Sequence, residues 1–103
     1  DMGEYVVTMF KMYAGPMTDV DLICDNSLMR IIIDRFGFDV PTSVIDSQHF
    51  KTQVHVALSP IFYSWIFQFS GMIKIISPKR VRDEYTKMLK QNLNIDQLVK
   101  EEI

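Results

Sequence analysis

An α+β plait, running β-α-β-β-α-β with one helix added behind it, is the fold class this sequence predicts. Three observations carry it. Two stretches, Thr18 to Cys24 and His49 to Leu58, alternate apolar and polar residues with period two, as strands with one buried face do. Each runs straight into a helix start, Asp25-Asn26 in one case and Ser59-Pro60 in the other, because a short polar side chain caps orphan N–H groups and proline needs none. Gly37 and Gly71 then stand where a helix has to stop and a strand resume.

Taken in order, residues 1–15 place Tyr5, Val6, Met9 and Phe10 at helical spacing before Gly15-Pro16 breaks the run. A short amphipathic N-terminal helix is expected there, leading out of an upstream domain. In the first strand Val20, Leu22 and Cys24 share the inward side, which makes Cys24 a buried, inert thiol. The helix after it is capped by Asp25 or Asn26 and carries the stripe Leu28, Met29, Ile32, Ile33 and Phe36. Asp39 to Ile45 reads as a second strand, pushed to a sheet edge by Pro41. In the third strand Phe50, Val54, Val56 and Leu58 face inward and Lys51, Gln53 and His55 outward, with Thr52 interrupting the apolar set.

The helix expected over Ile61–Phe69 is apolar around most of its girth. Phe62, Trp65, Ile66 and Phe69 form one face, whereas Tyr63 and Phe67 fall outside it. Either the C-terminal helix covers those two or another domain or subunit does, and the second is the reading adopted. Met72–Ile76 forms the fourth strand, with Ile73 and Ile75 inward. Ser77-Pro78 repeats the cap-and-proline pattern for a last helix. This order gives a ferredoxin-like plait with both helices on one sheet face and the other face open. Residues 16–95 form the domain and 96–103 a tail.

Composition bounds the function. The 103 residues, 48% hydrophobic, suit one domain. A net charge of -2 argues against wholesale coating of nucleic acid. The two halves differ: residues 1–50 hold eight acidic and three basic side chains, residues 51–103 five and eight. One cysteine excludes an internal disulfide and fits a reducing, cytoplasmic setting. No apolar run is long enough for a membrane span. Starting at Asp1, the chain is expected to be part of something longer.

The runs MYAG, VDLICDNSLMRIIIDRFG, VALSPIFYSWIFQF and IKIISPKRVRDEY, with the HF pair before the third strand, resemble the C-terminal extension (WCX) domain of WYL-domain bacterial transcriptional regulators. The resemblance covers about residues 4–92 and consists mainly of core, cap and turn positions. It implies a ferredoxin-like fold that helps form homodimers and the effector pocket. It also implies an upstream WYL domain, reached through residues 1–15, that in some members senses single-stranded nucleic acid. DNA would be met only through a helix-turn-helix domain that is not in this sequence. The WYL tripeptide is not in it either, so the ligand-contacting roles of that domain transfer to no residue here.

No catalytic constellation is visible: there is no nucleophile elbow and no glycine-rich phosphate loop. His49 and His55 lie six residues apart on one strand, roughly 20 Å, too far to share a metal. No cofactor or metal is therefore expected. Lys79 and Arg80 lie in the first turn of the last helix, with Arg82 beyond and Lys74 on the adjoining strand. Together these four are the expected site for an anionic effector, a single strand or a nucleotide. The bland reading is a solvated helix face with Asp83 and Glu84 alongside. Tyr63, Phe67, Tyr5 and Phe10 are the expected interface residues. A regulatory plait that binds a small molecule between two copies, similar to amino-acid-sensing domains, is the alternative. An acylphosphatase-like enzyme is disfavoured because Cys24-Asp25-Asn26 offers neither glycine nor arginine to hold phosphate.

Overall fold

Strand pairing decides the fold. In a computed structural model, which describes residues 16–93, four strands form one sheet in the order β2-β3-β1-β4. These are β1 (Met17–Asp25), β2 (Thr42–Val44), β3 (His49–Ala57) and β4 (Ile73–Ser77). All neighbours are antiparallel. Each of the two β-α-β units thus leaves a gap that a strand of the other fills, which is the ferredoxin-like plait. The helices are α1 (Met29–Phe36), entered through the 3-10 turn Asn26–Leu28, then α2 (Pro60–Phe67) and the added α3 (Lys79–Leu93). The expected N-terminal helix, with Tyr5 and Phe10, and the tail lie outside the described residues.

The period-two reading of the long strands holds. Val20, Leu22 and Cys24 of β1, Phe50 and Val54 of β3, and Ile73 and Ile75 of β4 are buried. They meet Leu28, Ile32, Phe62, Tyr63, Ile66 and Val81 from the helical side in one core. A fully buried Leu or Ile contributes about 1.5–3 kcal/mol of apolar transfer. Thr52 sits in this row without cost, because its hydroxyl donates to the Pro41 carbonyl at 2.7 Å. That carbonyl also accepts from the Gln53 N–H at 3.2 Å, which ties the β2 edge to β3.

Three expected elements differ in detail. The second strand keeps only Thr42–Val44 of the expected Asp39–Ile45. Residues 37–40 form a turn instead, closed by the Val40 N–H on the Gly37 carbonyl, and Pro41 has no N–H to pair. The helix α2 ends at Phe67 rather than Phe69, because Ser70 (φ 55°) and Gly71 (φ 86°) both take left-handed backbone. Ser77 does not cap α3. It is the last residue of β4, and its hydroxyl donates to the Asp21 carboxylate across the sheet. The first turn of α3 is closed instead by the Pro78 carbonyl, which accepts from the Val81 and Arg82 N–H groups. At the other helix starts the caps are as read: Asp25 accepts from Ser27, and Ser59 from Phe62. Among the described residues no helix is long and apolar enough to cross a membrane.

A candidate cleft beside the fourth strand

Hydrophobic girth around α2 and the course of α3 together create the site. Tyr63, expected at an interface, is only 2% exposed. Its ring stacks on Tyr85 of α3, with centroids 5.6 Å apart and planes 13° apart. The C-terminal helix of the same domain therefore covers Tyr63, and the reading of it as a free contact surface is corrected. Phe67, one turn later, stays 64% exposed. Burial raises the Tyr63 phenol above its ordinary pKa, helped by the negative charge of Glu84 and opposed by Arg80. The hydroxyl has no hydrogen-bond partner among the described residues.

Past the stack, α2 ends at Phe67. Phe67, Ile75, Tyr85 and Leu89 line a cleft of about 500 Å³ that reaches β4, the last strand of the sheet among the described residues, and Lys74 and Arg82 line it too. An apolar groove between Phe67, Met88, Leu89 and Leu93 continues it toward the end of α3.

The four cations proposed from sequence do not converge. Lys79 donates to Asp83 at 2.8 Å, and this bond is the main reason the Asp83 carboxyl lies below its ordinary pKa. Arg80 and Arg82 are two residues apart, roughly 200° round the helix, so they flank the buried Val81 on opposite sides. Arg80 reaches instead toward Thr18, 3.5 Å from its hydroxyl. Only Lys74 and Arg82 share the cleft, and neither makes an ion pair among the described residues.

On the open sheet face the charged side chains satisfy one another. Asp21 accepts from Ser77 and from Gln53 Nε2 at 3.1 Å, with Lys51 Nζ at 4.0 Å. The Ser77 bond is the chief cause of its lowered pKa, against the opposing effect of burial. His55 pairs with Asp19 at 2.8 Å and His49 with Asp46 at 2.9 Å. Each histidine is thus held by its own aspartate. Cys24 lies fully buried, which pushes its thiol up to about 12.

Sequence reasoning found the exposed Phe67 and both cleft cations, yet assigned them to separate sites. The signal that joins them is the helical phase of α3: Arg82, Tyr85 and Leu89 recur at the three- and four-residue spacing of one stripe. No family model, curated protein or solved structure matches the chain in comparison with known proteins.

Proposed function

We propose that this chain is the non-catalytic sensing and dimerisation domain of a WYL-type bacterial transcriptional regulator, and that it acts in the cytoplasm. Support comes first from where the resembling residues fall. The DNSLMRIIIDRFG run supplies the Asp25 cap of the 3-10 turn and the stripe and stop of α1, and SPIFYSWIF the cap and core face of α2. VRDEY brings the core residue Val81 and the Tyr85 stack. The observation that carries the reading is the cleft itself, where exposed Phe67 lies beside two cations that make no ion pair among the described residues. A surface of this kind suits contact with an anionic partner more than bond-making chemistry.

The test is a reporter assay in cells whose regulator carries Lys74→Ala and Arg82→Ala together. Promoter response to the inducing condition should be lost while basal DNA occupancy is retained. A response equal to wild type sinks the sensing role. For dimerisation, sedimentation of the chain should show a concentration-dependent dimer that Phe67→Asp weakens.

A further inference from the structure

Hydrogen bonds at β2 fix which way each of its peptide groups points. Ser43 stands opposite Lys51, between the pairs Thr42–Thr52 and Val44–Phe50. The Gln53 N–H donates to the Pro41 carbonyl at 3.2 Å, and the Ile45 N–H to the His49 carbonyl at 3.1 Å. Bonds at those positions flank the pairs Thr42–Thr52 and Val44–Phe50, which are thus the non-hydrogen-bonded ones of the antiparallel ladder. Ser43 turns its N–H and carbonyl to β3, and Thr42 and Val44 turn theirs away from the sheet. β2 is the outermost strand on this side. All three of its residues are exposed, Val44 at 85%. Pro41 does not blunt the edge, because its missing N–H belongs on the β3 side.

Open edges in soluble proteins are commonly guarded by a lysine, an inward-pointing charge or a proline that removes an outward N–H. None of these guards β2: residues 40–45 read Val-Pro-Thr-Ser-Val-Ile, without a charge. Thr42, Val44 and Ile45 are β-branched strand formers as well.

We infer that β2 pairs with β2 of a second copy of this chain, antiparallel and centred on Ser43, joining two sheets edge to edge. In that register Thr42 stands opposite Val44 of the second copy, and Val44 opposite its Thr42. Every outward N–H then meets an outward carbonyl, and no group on the edge is left over. Cross-strand neighbours are Thr with Val on the helical side and Pro with Ile on the open face, so no like charges meet. The nearest acids, Asp39 and Asp46, fall outside the paired residues, and Asp46 is held by His49. A charged foreign segment finds no countercharge along this edge. The partner it fits is itself. The contact is separate from the one assigned to Phe67, which lines the cleft beside β4 at the other end of the sheet. With three paired residues a side it is the weaker of the two, with a dissociation constant on the order of 1 mM.

The experiment uses the full 103-residue chain carrying Ser43→Cys. Directly opposed non-bonded residues have Cα atoms about 4.5 Å apart, within the reach of a disulfide. Cys24 is buried and does not compete. Mild oxidation should give a covalent dimer, whereas Arg30→Cys on the exposed side of α1 should give none. In the unaltered chain, amide exchange at Thr42 and Val44 should slow as concentration rises toward about 1 mM. Ser43, already bonded to β3, should not respond. Val44→Lys should weaken the association roughly tenfold, and Phe67→Asp should leave it unchanged. Absence of the Ser43→Cys cross-link, or exchange at Thr42 and Val44 that ignores concentration, overturns the inference. Slow exchange there at every dilution assigns the edge to a segment of the same chain instead, and overturns it too. Any of these failures leaves the Phe67 contact and the cleft standing, because their own variants test those.

Discussion

Tyr63 and Phe67 stand one turn apart on the same helix, and only the first is sealed. Both fall outside the face that α2 turns to the sheet in an ideal projection. Over Tyr63 the third helix lays the Tyr85 ring; Phe67 it leaves exposed, beside an open cleft that Lys74 and Arg82 also line. Apolar character in a sequence therefore marks a surface that needs covering, and the path of a later element decides whether the chain itself supplies the cover. At the stack, the energy goes into holding α3 in place. Along the cleft it remains free for a partner.

Substitutions should separate the two regions sharply. Ile66→Ala, in the core beneath them, should cost about 3–4 kcal/mol in urea unfolding, through lost burial and the cavity left behind. Tyr85→Ala removes half of the stack and should cost about 2 kcal/mol, because Tyr85 is only part-buried. A loss as small as that of a surface change would mean that α3 does not seal Tyr63. Tyr63→Phe should stay within about 1 kcal/mol of wild type, on the stabilising side, because its buried hydroxyl gives up no hydrogen bond. Phe67→Ser should shift stability by less than about 0.5 kcal/mol. A cost like that of Ile66→Ala would show that Phe67 is covered after all.

Two pH tests sharpen the same contrast between interior and surface. The Cys24 thiol is raised from 9.0 to about 12 in the fold, so the unfolded chain loses its proton first as pH climbs. Its contribution to stability is complete below about 9 and is lost progressively toward 12. Cys24→Ala should flatten the alkaline limb of the stability profile, and native Cys24 should react with thiol reagents only as fast as the chain opens. Asp21 shifts the other way. Its folded pKa lies below 3.8, so its contribution is present above that value and lost as pH falls through the folded pKa. Ser77→Ala should bring the Asp21 carboxyl titration, followed by carbon-13 NMR, back up toward 3.8; no movement would mean that another donor holds it.

Much of the fold was legible because its signals are local. Alternation in β1 and β3, the Asp25 and Ser59 caps and the Gly37 and Gly71 stops each concern residues within a few positions of one another. Errors came where a distant partner competed for a group. Ser77 looks like a helix cap until Asp21, 56 residues away, takes its hydroxyl. Lys79, Arg80 and Arg82 look like one cluster until the helical phase of α3, the Asp83 bond and the approach to Thr18 part them.

The order of elements, the face each long strand turns inward, the buried thiol and the all-round apolar character of α2 were determined by the sequence alone. All of these follow from steric and solvation preferences acting within a turn or a strand. Only the tertiary structure decided that α3 covers Tyr63 but not Phe67, and that Lys74 and Arg82 line one cleft beside β4. Those outcomes depend on the angle at which one packed element leaves another, and no short stretch of residues specifies it.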